Sequence, residues 1–239
     1  MRRTPPVLVL TEQTPNPDAL KFIPELAPGA RLTEGATYAL ARSGFDAARS
    51  TLAAALFGLA GVERVFVAPG FVTVTRAAAG PPWSALRYAV IAAIAEHLAS
   101  GAPAIADDSP PVEDAGQDPI EEEIRQVLGL HVRPGVARDG GDVLFERFDA
   151  DTGVLWIRMQ GACGGCPSSR LTLKSGIEQI VRRYVPEVAR VEEIGGAPAP
   201  AGASRLRRWI EGFGGRGAGA RPVFTHGGRE IPRRPERTP

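Results

Sequence analysis

Residues 101–119 constrain the fold first, because they break the chain in two. The stretch holds four prolines (Pro103, Pro110, Pro111, Pro119) and five acids (Asp107, Asp108, Glu113, Asp114, Asp118), with little apolar content. Such a segment buries too little surface to offset its ordering entropy, and its like charges repel. It reads as an acidic flexible linker over 101–117. A second break begins at Gly195, after which 16 of 45 residues are glycine or proline and most charges are arginine. That end, 195–239, reads as a disordered basic tail. Two candidate domains are left, 7–100 and 118–194, which suits a 239-residue chain.

Composition removes several classes of function. With 44% apolar and 23% charged residues the chain can bury real cores, and a net charge of +1 is not that of a strongly basic nucleic-acid binder. Two cysteines cannot build a multi-disulfide secreted scaffold. The apolar run Val7 to Leu10 is too short for a secretory segment. No apolar stretch approaches the ~20 residues that span a bilayer. The expectation is a soluble, cytoplasmic protein without a membrane partner, in a compartment that keeps thiols reduced.

Periodicity gives each domain mixed elements. In the first, Val7 to Thr11 reads as a strand, and Asp46 to Leu59 as a helix with Ala48, Leu52, Leu56 and Leu59 on one face. Val62 to Val67 and Phe71 to Thr75 are β-rich runs around the turn Ala68-Pro69-Gly70, and a helix from about Pro82 carries Leu86, Val90, Ile94 and Leu98. In the second, Asp118 caps a helix with Pro119 at its first position and Glu121 three residues after the cap. Strands are predicted over Asp142 to Phe148 and Val154 to Met159, then a helix from Pro167 to about Tyr184 and a last strand over Val188 to Ile194. The helix turns Leu173, Ile177, Ile180, Val181 and Tyr184 inward, with Lys174, Glu178, Arg182 and Arg183 away. The fold class is α+β, as two small α+β domains.

The chemistry concentrates in Gly161-Ala162-Cys163-Gly164-Gly165-Cys166-Pro167, between a strand and a helix. Glycines leave this loop uncrowded, Pro167 suits a first helical turn, and a helix N-terminus favours thiolate. Thiolate serves both metal binding and redox exchange. A closed zinc site or an iron–sulfur cluster takes four protein ligands, and the chain has only Cys163 and Cys166. His97, His131 and His226 fall in three different segments, so counting points to two copies sharing one cluster. A Cys-x-x-Cys between strand and helix is equally the thioredoxin-like dithiol arrangement, although a helix and a hairpin precede it here. A third reading, two reduced cysteines without chemistry, sits poorly with the double glycine.

The run Arg133-Pro134-Gly135-Val136-Ala137-Arg138-Asp139-Gly140-Gly141-Asp142, followed by Gly161 to Ser169, resembles the NifU-like carboxy-terminal domain of Nfu-type iron–sulfur carriers. Thr14-Pro15-Asn16-Pro17, Leu20-Lys21-Phe22 and Ser100-Gly101-Ala102-Pro103 resemble the Nfu amino-terminal domain. The resemblance covers about 7–194 and stops at the tail. It implies a scaffold that holds a 4Fe-4S cluster between two subunits through Cys163 and Cys166 and transfers it to apo-proteins. Its partners would be a second copy when loaded, apo iron–sulfur clients and an upstream donor. No acid, base or activated hydroxyl constellation stands out, so a carrier is expected in place of an enzyme.

Other features have plainer readings. Asp139-Gly140-Gly141-Asp142 reads as a turn that can pack beside the cysteines. His131 reads as a boundary histidine, His97 as a packing residue, and Phe71, Trp83 and Tyr88 as core without the basic interleaving of a nucleic-acid platform. From Ala197 onward nine arginines against three glutamates give about +6, carried on a solvated tail with Leu206 to Phe213 read as an anchor that orders on contact.

Overall fold

The computed structural model describes residues 7–106, 118–165, 167–194, 225–226 and 229–230. Cys166 and most of the tail, including Leu206 to Phe213, therefore lie outside the described residues, as does most of the acidic stretch. The first domain is a five-stranded antiparallel sheet backed by two helices. Its strands are β1 (Val9–Gln13), β2 (Ala19–Pro24), β3 (Tyr38–Ala41), β4 (Val62–Ala68) and β5 (Phe71–Arg76), in the order β1-β2-β5-β4-β3. Helix α1 (Thr51–Gly58) follows a short 3-10 turn (Ala47–Arg49), and α2 (Trp83–Ser100) follows β5.

Strand alternation decides which face the helices cover. Leu20, Phe22, Val65, Val67, Val72 and Val74 point to one side and form the first core with Leu52, Leu56, Leu86, Val90 and Ile94. Their neighbours Lys21, Phe66, Thr73 and Thr75 point to the other side. Each large side chain so buried contributes about 1.5–3 kcal/mol, which is why the period-2 pattern fixes the register. Ser50 starts α1: its Oγ accepts from the Ala53 N–H at 2.9 Å and donates to the Ala104 carbonyl at 2.6 Å.

That second bond bears on the domain boundary. A linker beginning at residue 101 was expected, yet Ala104 and Ile105 are buried in the first core. The left-handed Gly101 ends α2 and turns the chain back over α1, so the first domain extends at least through Ala106. Tyr88 is a further correction: it is 64% exposed, with the Arg87 guanidinium over its ring, while Trp83 packs at the edge of the core. Sharing a helix with Leu86 and Val90 does not place Tyr88 on their face.

The second domain runs α3 (Pro119–Val127), a π turn (Leu128–Val132), α4 (Arg133–Arg138), β6 (Gly141–Asp149), β7 (Val154–Gly161), a 3-10 turn (Ala162–Gly165), α5 (Pro167–Tyr184) and β8 (Arg190–Glu193). Asp118 caps α3 as expected, its Oδ1 accepting from the Ile120 N–H at 2.9 Å. The helix was expected to end before Arg133-Pro134, but it continues. Pro134 lacks an N–H, and the Arg133 N–H reaches back to the Leu128 carbonyl, so the chain widens by one residue instead of stopping. Strands order as β6-β7-β8, with β6 and β7 antiparallel and β7 and β8 parallel across α5. Ile124, Leu128, Val136, Leu155, Ile157, Ile177 and Val191 make a second core that shares no residue with the first.

Lys174 and Glu178, read as facing away, instead tie α5 to β8. Lys174 Nζ pairs with Glu192 at 2.6 Å, and Glu178 accepts from the Val191 N–H at 3.0 Å. Within the tail, Thr225–His226 (β9) and Arg229–Glu230 (β10) pair as a short antiparallel ladder.

Candidate functional site

Cys163 lies in the 3-10 turn between β7 and α5, the strand-to-helix transition expected from the sequence. It is buried and belongs to the second core. The turn is shaped by glycines that cannot be replaced without movement. Gly140 and Gly161 have φ of +80° and +69°, and the Ala162 N–H donates to the Gly140 carbonyl at 3.1 Å. A Cβ on Gly141 would stand 2.8 Å from the Cys163 Sγ and 2.6 Å from the Gln160 carbonyl oxygen. The first residue of β6 therefore lies directly against the sulfur. The Asp139 to Asp142 turn does pack beside this cysteine.

Asp142 does more than close a turn. It is buried, and its two carboxylate oxygens accept from Arg133 Nε and Nη2, each at 2.8 Å. Oδ1 also accepts from the Val143 N–H at 2.8 Å, and Oδ2 from the Thr37 hydroxyl of the first domain at 2.8 Å. A buried carboxylate is tolerated only when paired and hydrogen-bonded in this way. Arg133, Thr37, Thr73 and Lys21 surround the cysteine-bearing turn, and the sequence reading gave none of the four a role at the site. Nothing in the local pattern distinguishes a threonine or lysine on a covered outer sheet face from one in water.

His97 and His131 do not join the cysteine. His131 stacks on Tyr184 with ring centroids 4.4 Å apart and an interplanar angle of 7°. His97 is buried in the first domain, as its packing assignment required. Burial holds the pKa of both below the ordinary histidine value; a backbone hydrogen bond with Ala102 partly offsets this in His97. Among the described residues, no three His, Cys, Asp or Glu side chains come together to hold a metal ion. No helix among them is long and apolar enough to cross a membrane.

Comparison with known proteins covers both domains. Residues 9–101 match the model of the "Scaffold protein Nfu/NifU N terminal" family, and residues 124–192 match that of the "NifU-like domain". The chain is 37% identical over 190 residues to the human mitochondrial NFU1 iron-sulfur cluster scaffold homolog, covering 79% of this chain and 72% of that protein. It is 38% identical over 194 residues to the homolog of the same name in Drosophila erecta, covering 79% and 65% respectively. It is 39% identical over 201 residues to NifU-like protein 5, mitochondrial, of Arabidopsis thaliana, covering 80% and 69%. The amino-terminal sheet, the glycine-walled cysteine turn and these two matches in the same order make the chain a member of the Nfu family of scaffold proteins.

Proposed function

We propose that the chain is an iron–sulfur cluster scaffold, holding a 4Fe-4S cargo between two subunits through Cys163 and Cys166 and passing it to apo-proteins. The observation that carries this reading is the setting of Cys163. It sits in a glycine-walled turn ahead of α5, with no histidine or carboxylate cluster of the same chain able to complete a metal site among the described residues. The family supplies the cargo class, and ligand counting supplies the twin. The chain's own residues present thiolates, keep the turn open through Gly140, Gly141 and Gly161, and orient it through Asp142. Transfer is ligand exchange: a client thiolate bonds to an iron, and a scaffold cysteine leaves it. Clients, an upstream donor and a cytoplasmic, reducing setting belong to the same reading, as does the absence of an enzymatic reaction; the relatives above are named mitochondrial.

Reconstitution without oxygen tests it. The expected product is a dimer with about two irons per chain, from four ligands shared by one cluster, and Cys163→Ser or Cys166→Ser should abolish retention while circular dichroism stays unchanged. Four irons on a stable monomer would refute the shared site. One observation favours the dithiol alternative: β7, α5 and β8 form a parallel βαβ unit that opens at the cysteine turn. Robust insulin disulfide reduction by the cluster-less chain would transfer the assignment to that chemistry.

A further inference from the structure

The outer face of the first-domain sheet is covered by the second domain. Lys21, Phe66, Thr73 and Thr75 lie on the side of the sheet opposite α1 and α2, yet all four are buried, Phe66 to 2% and Thr73 to 1% exposure. Phe66 belongs to neither core. What reaches it is the cysteine-bearing domain: a Cβ on Gly161 would stand 3.0 Å from Phe66 Cδ1, and β5 runs alongside the 162–165 turn. Three polar bonds fasten the contact. Thr73 Oγ1 donates to the Gly140 carbonyl at 2.8 Å, Lys21 Nζ to the Arg138 carbonyl at 3.4 Å, and Thr37 Oγ1 to Asp142 at 2.8 Å. All three end on the segment that walls Cys163.

We propose that this contact is a built-in cap: in the cluster-less chain the first domain's sheet occupies the face of the cysteine turn that a second copy must approach, and loading displaces it. This rests on the shared-cluster reading. The contact has the character of a separable one. The two cores share no residue, so neither is opened when the domains part. The fastening is polar, and a cleft of about 260 Å³ remains between the domains, lined in part by Arg64, Phe66, Arg158 and Gln160. Eleven residues, 107–117, join the bodies, and covalent geometry allows them up to about 40 Å of span. A thiolate that bridges to a cluster held jointly with a twin cannot keep a sheet against its own turn. Cap and twin compete for one surface.

The test uses the full-length chain. Thr37→Val/Thr73→Val removes two of the fastening donors at nearly constant shape, and Thr73→Ser retains the hydroxyl. In cluster-less protein, iodoacetamide labelling of Cys163 followed by mass spectrometry should run roughly ten to thirtyfold faster in the double variant than in wild type, given the usual worth of two hydrogen bonds. Thr73→Ser should remain within about twofold of wild type, on the same hydrogen-bond scale. Radiolytic hydroxyl-radical labelling of Phe66, whose ring lies under the contact, should rise in the double variant, and rise equally in wild type once iron and sulfide are loaded. Equal labelling rates in folded wild type and double variant would overturn the cap. So would a loaded dimer whose Phe66 stays as protected as in the cluster-less chain. If wild type takes up no iron, the cluster reading fails on its own, while the labelling comparison still decides the contact.

Discussion

Replacing Gly141 by alanine puts the geometry of the cysteine turn to a direct test. The added carbon would meet the Gln160 carbonyl oxygen at 2.6 Å and the Cys163 Sγ at 2.8 Å, with the Cys163 Cβ at 3.3 Å. The first of these neighbours cannot swing aside, because Gln160 is backbone in the β6–β7 ladder, paired opposite Asp142. The sulfur can move only by rotating out of a buried position. Relief must come from opening the end of the ladder and turning Cys163 away. Overpacking of this kind costs about 1–3 kcal/mol. With urea slopes of about 1–3 kcal/mol per molar, the midpoint of unfolding should fall by roughly 1 M. Urea titration followed by circular dichroism reads the stability, and iron retention after anaerobic reconstitution reads the displaced sulfur. A variant with an unchanged midpoint and full iron content would show that the turn is not walled as described.

Ser50→Ala should cost about 1–3 kcal/mol by calorimetry, since one hydroxyl caps α1 and satisfies the buried Ala104 carbonyl; a loss near zero would mean that residues 101–106 do not dock there. Gly58→Ala should instead gain about 0.4–1 kcal/mol in the same assay, because its helical position has open space around the missing Cβ. Acidification should weaken the fold through His97 and His131. Burial lowers both folded-state pKa values, so the unfolded chain takes up protons first; their stabilising contribution is full above about pH 6.5 and is lost as pH falls through the folded values. His97→Leu should flatten this acid-side slope of the urea midpoint between about pH 7.5 and 5.5; an unaltered slope would count against it.

Much of the architecture was legible because it rests on period and punctuation. Asp118 and Pro119 opened α3, Pro167 opened α5, and the β-rich runs around Pro69 and Gly153 became β4–β5 and β6–β7. Strands β2 and β3 were not read: β2 is a short mixed run, Ala19 to Pro24, whose Lys21 is buried by a distant element. The continuation from α3 to α4 was hidden by Pro134, which is a stop signal unless the preceding turn widens. At the site, the cysteine and its glycines were visible in the spacing. The clasp around them was not, because Thr37, Thr73 and Arg133 acquire meaning only through partners nine to more than a hundred residues away.

The independence of the two cores bears on how the molecule is made. Once Ala104 and Ile105 have emerged from the ribosome, every side chain of the amino-terminal core is present, and that body can fold while the sulfur-bearing half is still being synthesised. When the Cys163 turn does appear, the β-surface it packs against can already be in place.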